Sequence, residues 1–159
     1  MVELDNPFGP NQPCFACSPA HPIGFRLRFR IEGEARDRVA TTFRPGEQYQ
    51  GPPGILHGGL VTVLADEVAA WAIIALKGKF GFTASMQARL RGPVRINQDV
   101  VGRSWITEDG RRLVKVHVEL EQAGVVAYEG DFSFVLVDRA GAEKLLGGPI
   151  PADWEQFLR

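Results

Sequence analysis

The sequence predicts an α+β fold in which a single long helix lies on an antiparallel sheet. Three observations carry this. Over residues 58–76, Leu60, Val61, Leu64, Ala65, Val68, Ala69, Ala72, Ile73 and Leu76 fall at spacings of three and four, the period of a helix. On both sides of that stretch apolar and polar residues alternate, the period of a strand. Glycine and proline cluster between the periodic runs, which keeps the connections short.

Taken in order, residues 1–23 carry Pro7, Pro10, Pro13, Pro19 and Pro22 with Gly9, which withholds regular backbone donors and predicts an extended N-terminal arm rather than a domain. From Gly24 the main domain runs over 24–138. Phe25, Leu27, Phe29 and Ile31 alternate with Arg26, Arg28, Arg30 and Glu32, and after a turn at 33–36 Val39, Thr41 and Phe43 continue the period, predicting a hairpin. A Gly- and Pro-rich loop over 44–54 leads to the helix, which Gly78 stops. Only Asp66 and Glu67 interrupt its apolar run, so it must be covered on nearly all sides, and a partner subunit is expected. Beyond it, Phe82 to Leu90 alternate until Gly92-Pro93. A strand over 99–107 turns at Glu108-Asp109-Gly110. Val114, Val116, Val118 and Leu120 point inward, and the chain returns from Ala123-Gly124 through 125–137, an antiparallel meander. Residues 139–159 are a tail with Pro149, Pro151 and a short segment at 154–158 that packs on the domain.

At 159 residues the chain has one domain's length and can bury a core without disulfide or metal. Eighteen basic and nineteen acidic residues leave a formal charge of −1, which gives no global attraction to nucleic acid or an anionic membrane. The segment 1–13 lacks the basic and apolar regions of a signal peptide, and the sequence reading finds no apolar run of about 20 residues, so a cytoplasmic address without membrane insertion is expected. Cys14 and Cys17, three residues apart, are expected to be free thiols. With His21 the only conceivable third ligand, no metal is expected.

Chemistry concentrates in residues 54–67. Gly58 and Gly59 at a helix start let backbone approach a ligand closely, and the unpaired amides there carry partial positive charge, an oxyanion site. Asp66, two turns on, is a carboxylate among apolar positions, costly to desolvate unless it is used. On this reading one helix supplies both the electrophilic assistance and the base. The plainer reading is tight packing at a helix start, with His57 as a capping residue.

The run from Gly51 through Gly54 to His57, Gly58 and Gly59, followed by Leu64, Ala65, Asp66 and Glu67, resembles the His-Gly-Gly motif of hotdog-fold acyl-CoA thioesterases of the phenylacetate-degradation (PaaI-like) branch. The likeness covers 24–138, and Cys14 to Cys17 followed by Pro22, Ile23 and Gly24 resembles the lead-in of such sequences. It implies the hotdog fold, a curved antiparallel sheet wrapped around one long central helix. It implies that Asp66 activates water or attacks the thioester, that the Gly58 amide holds the oxyanion, and that His57 holds the loop and the substrate carbonyl. It also implies a hydroxyl from the strand after the helix, on a facing subunit: Thr83 first, Ser85 second. Gln50 stands seven residues before His57, where related sequences place an orienting Asn or Gln. Glu67 lies about 100° around the helix from Asp66, which is preferred. The acyl pocket would lie between two helices of a dimer, with Trp71, Phe82 and Met86 as its lining, and Arg89, Arg91 and Arg95 are candidates for the phosphates of coenzyme A. The expected protein is thus a cofactor-free thioesterase acting on acyl-CoA as a homodimer or homotetramer. A non-catalytic acyl-CoA-binding module and a hydratase or dehydratase remain the alternatives.

Overall fold

The computed structural model of the protein describes residues 1–158. Seven antiparallel strands form one sheet: β1 (Val2–Glu3), β2 (Phe29–Glu32), β3 (Arg38–Phe43), β4 (Gly81–Leu90), β5 (Val100–Asp109), β6 (Leu113–Gln122) and β7 (Val125–Leu136). They lie in the order β1-β2-β3-β5-β6-β7-β4. The long helix α1 (Gly58–Ala72) continues as a π-helical turn over Ile73–Lys77, and left-handed Gly78 ends it. It packs on β3, β4, β5, β6 and β7, so the sheet curls around it from its third strand to its edge, which is the hotdog arrangement.

The alternation in the strands does what its period predicts. Val114, Val116, Val118 and Leu120 of β6 are fully buried, as are Phe132 of β7 and Val100 of β5, and they face Leu64, Ala65, Val68 and Ala69 of α1. The helix comes closest to the sheet at Gly102, where a Cβ would sit 2.9 Å from Val68 Cγ2 and 3.0 Å from Leu120 Cδ2. Beside it the buried Ser104 hydroxyl donates to the Val68 carbonyl oxygen at 2.7 Å, tying helix to strand. Ala123 and Gly124, both with positive φ, make the tight two-residue turn between β6 and β7.

The structure departs from the sequence reading in four places. The strand expected from Phe25 begins at Phe29, because Arg26 adopts a left-handed φ of 55° and the Phe25 and Leu27 amides bond to the carbonyls of Phe15 and Ala16 instead. Phe25 and Leu27 are still buried. Residues 1–23 pair as β1 with β2, then turn, and bury Phe8 among Trp71, Phe80, Trp154 and Phe157. The strand β5 runs on to Asp109 with a bulge between Ile106 and Glu108, so the hairpin turn to β6 falls at 110–112 rather than at 108–110. Finally, Gly58–Lys77 is long and apolar enough by length and composition to cross a membrane, contrary to the expectation that no run reaches that length; in this fold its buried face packs on the sheet. The tail forms a second helix, α2 (Arg139–Leu146), and a 3-10 turn over Ala152–Phe157 whose last carbonyl accepts from the Phe80 amide.

The close approach at Gly102 makes a direct prediction. Gly102→Ala forces a methyl between α1 and β6 and lowers stability by about 1–3 kcal/mol, read as a lower urea midpoint with unchanged slope.

Candidate active site

The site is built from the N-terminal half of α1 and the edge strand β4. His57 caps the helix: its Nδ1 accepts from the Gly59 amide at 3.0 Å. The ring proton of a neutral His57 therefore sits on Nε2, on an exposed side chain. The loop before it is pinned by Leu56 N–H to the Val94 carbonyl and by His57 N–H to the Tyr49 carbonyl. Among the described residues the Gly58 amide makes no hydrogen bond, so it remains an available donor at a helix terminus. His57 is therefore a cap whose other ring edge stays exposed, so the capping reading does not exclude a substrate-facing one.

Asp66 lies on the half-buried side of α1 that faces β4. Its Oδ1 accepts from Thr83 Oγ1 at 2.6 Å. Burial pushes its pKa above the ordinary aspartate value, and the Thr83 hydroxyl offsets part of the rise by bonding to the charged form. Thr83 reaches Asp66 because β4 bulges at Ala84. Thr83 pairs with Phe134, but Ser85 pairs with Ser133, so the register slips by one residue and the side chains change faces. Thr83, Met86, Ala88 and Leu90 then face the helix with Phe134, Phe132, Gly130 and Tyr128. Ser85, Gln87 and Arg89 face outward with Ser133, Asp131 and Glu129.

This slip sorts the remaining candidates. Ser85 and Arg89 are carried to the outer face, away from Asp66. Arg91 is ion-paired to Glu129, and Arg95 sits apart from both, beside Ile55 of the loop that leads to His57. Thr83 meets Asp66 within one chain. Gln50 folds back on its own loop, its Oε1 accepting from the Gly54 amide at 2.9 Å. Trp71 is 2% exposed, stacked on Phe29, and donates through Nε1 to Glu67; the structure puts it in the core on the Glu67 side of α1, not by Asp66. Phe82 lies opposite Val135 on the outer side, while Met86 stays on the helix-facing side. Gly59 serves through its amide as the anchor of the His57 ring.

One residue was missed by the sequence reading. Tyr128 is fully buried and its hydroxyl has no hydrogen-bond partner among the described residues. Burial raises its pKa and the Asp66 charge raises it further, so the phenol is near the carboxylate. Its only signal in sequence was a phenol at an inward position of a strand otherwise filled there by Phe132 and Phe134.

On the other side of α1, Glu67 points away into a second cluster. Burial and the neighbouring Cys14 push its pKa up to about 7. Cys14 is brought down to about 5 by hydrogen bonding from Cys17 and from the Cys17 and Ala16 amides, while that same bond and burial push Cys17 up. Both cysteines are free.

A family model, that of the thioesterase superfamily, matches residues 53–127, the span from the loop before His57 into β7. Acyl-coenzyme A thioesterase 13 of Homo sapiens is 25% identical over 94 residues, 58% of this chain and 67% of that protein. A crystal structure of a thioesterase superfamily protein superposes with a TM-score of 0.68 at 26% identity, covering 76% of this chain; this chain spans only 58% of that one. A hypothetical thioesterase from Streptococcus pneumoniae, solved with coenzyme A, has a TM-score of 0.62 at 18% identity over 68% of this chain and 87% of its own, a likeness of fold.

The raised pKa of Asp66 fixes the sign of a stability test. The folded state holds the ionised carboxylate less favourably than the unfolded chain does. The resulting cost is absent below the unfolded value of about 3.9 and appears in full as pH rises through the folded pKa. Asp66→Asn is therefore expected to raise stability at pH 7 by about 0.5–2 kcal/mol and to lose that advantage in acid, measured by urea unfolding at the two pH values.

Proposed function

We propose that this chain is an acyl-CoA thioesterase of the thioesterase superfamily, converting water and an acyl-CoA into a carboxylic acid and free coenzyme A. The observation that carries the reading is the Asp66–Thr83 pair, a desolvated carboxylate oriented by a hydroxyl on the same helix that presents an unpaired Gly58 amide. The match to the thioesterase superfamily model and the likeness to acyl-coenzyme A thioesterase 13 support the chemistry.

Each group has a task. Thr83 occupies Oδ1 of Asp66 and leaves Oδ2 to take a proton from water. The water oxygen bonds to the thioester carbon, and the carbonyl oxygen becomes an oxyanion received by a Gly58 amide and the His57 Nε2–H. Collapse breaks the C–S bond, and the departing coenzyme A thiolate takes the proton that Asp66 removed from water, which restores the carboxylate. A raised pKa makes Asp66 a stronger base than an ordinary aspartate.

The reading includes a second copy of the chain. Gly58 and Asp66 of one helix are eight residues apart, about 12 Å along the axis, whereas a reacting carbonyl needs its attacker within about 3.5 Å and its oxyanion donor within about 3 Å. A carboxylate from one copy working with the amide from another closes that gap. Val63 on the helix, and Met86 and Leu90 on the unpaired edge strand, are exposed apolar side chains beside this site, which fits a covered face. Arg95, without an ion-pair partner among the described residues and beside the His57 loop, is a better candidate than the paired Arg91 to meet a phosphate.

The test is release of free thiol from a panel of aromatic and aliphatic acyl-CoA esters. Wild type is expected to turn over at least one ester, and Asp66→Asn to lose at least about a hundredfold in kcat. The wild-type rate should fall as pH drops through the elevated Asp66 pKa, because the base must be ionised. Binding of esters without any turnover would replace the enzyme by an acyl-CoA-binding module.

A further inference from the structure

In the sequence, His21 is the one conceivable third ligand for Cys14 and Cys17, and no second pair completes a site. The fold supplies one from fifty residues away. Cys14 Sγ, Cys17 Sγ and a Glu67 carboxylate oxygen lie within 4.8 Å of one another, and Cys14 Sγ is 3.7 Å from Glu67 Oε1. A tetrahedral zinc ion, with Zn–S of about 2.3 Å and Zn–O of about 2.0–2.2 Å, requires S···O edges of about 3.5 Å and S···S edges of about 3.8 Å. The Cys14–Glu67 edge is already close to that length, and the other two, within 4.8 Å, need at most a small side-chain movement to reach it.

The surroundings fit the same ion. The Cys17 amide points at Cys14 Sγ at 3.3 Å and Gln12 Nε2 at Cys17 Sγ at 3.4 Å, donors that suit sulfurs carrying negative charge. Trp71 Nε1 donates to Glu67 Oε1 at 3.1 Å and holds the carboxylate toward the thiols. Among the described residues no lysine, arginine or histidine pairs with Glu67 or acts on either thiol, so a carboxylate and two thiols are gathered with no cation among them. Collecting groups of one sign in a half-buried pocket is unfavourable unless protons or a cation neutralise them. The open side of the cluster faces a cavity of about 140 Å³ between Phe8, Ala70, Ile74 and Trp154. That leaves room for a water as fourth ligand.

We propose that Cys14, Cys17 and Glu67 form a thiolate–carboxylate site for one divalent zinc ion, which pins the N-terminal arm to the central helix at the residue next to Asp66. Soft sulfur ligands with one carboxylate select zinc over magnesium or calcium, which prefer all-oxygen shells. Binding displaces the thiol protons to solvent, and no oxidant or reductant takes part. The site stands apart from the Asp66–Thr83 pair and does not depend on the proposed hydrolysis.

The experiment uses the whole chain, reduced and stripped of metal. Zinc is titrated in with an indicator dye, and cobalt(II) is used as the spectroscopic probe. The expected result is one ion per chain, a sulfur-to-cobalt charge-transfer band with tetrahedral d–d absorption, and a higher melting temperature with zinc. Cys14→Ser with Cys17→Ser should abolish the band, and Glu67→Gln, which keeps the side-chain shape, should weaken binding at least about tenfold. A circular-dichroism spectrum of each variant separates loss of the site from loss of the fold. The proposal is overturned if the reduced wild type binds no more zinc than the double serine variant. It is overturned equally if Glu67→Gln binds as tightly as wild type, or if the cysteines simply close to a disulfide and the reduced protein shows no cobalt–sulfur band.

Discussion

Everything in this molecule follows from the need to bury one helix. From Gly58 to Lys77 the chain is apolar apart from Thr62, Asp66, Glu67 and Lys77, and a flat sheet covers only one side of such a cylinder. The sheet therefore curls, bringing strands from β3 to the edge strand β4 into contact with α1. Close packing along the floor of that trough is set by small residues: Gly102 under Val68, and Ala65, Ala69 and Ala72 on the helix itself. Burying these apolar surfaces at about 25 cal/mol per Å² is the main favourable term, and it fixes the position of every group on the helix to within a side chain's reach.

The two acidic residues inherit their environments from this arrangement. They are neighbours in sequence but lie about 100° apart on the helix. Asp66 meets the rim where α1 touches β4, loses part of its hydration, and keeps one hydroxyl partner. Glu67 turns to the opposite rim, where the arm closes over it with Cys14, Cys17 and Gln12. In each case the helix supplies the carboxylate and a different part of the chain decides its chemistry.

The bulge at Ala84 has an effect out of proportion to its size. A regular β4 would put Thr83 on the same face as Ser85 and Arg89, and that face is the outer one. One extra residue lets Thr83 look inward while the rest of the strand keeps its apolar side against the helix. The outer side then gathers the ion pair of Arg91 with Glu129 and the hydrogen bond of His117 with Asp131, at some distance from the site.

The sequence by itself determined the periodic elements, because period is a local property. The helix, the inward valines of β6, the turn at Ala123-Gly124 and the stop at Gly78 could all be read from spacing, and the grouping of His57, Gly58 and Asp66 from one short stretch. Tertiary structure alone decided what depended on register and on contacts distant in the chain. Strict alternation has no mark for a bulge, so the facing of Thr83, Ser85 and Arg89 became visible only with the pairing of β4 and β7. The burial of Trp71 against Phe29, the unpartnered hydroxyl of Tyr128, and the meeting of Cys14 and Cys17 with Glu67 join residues tens of positions apart. Local patterning says which way a side chain points within its own element; only the packing of elements says what it meets there.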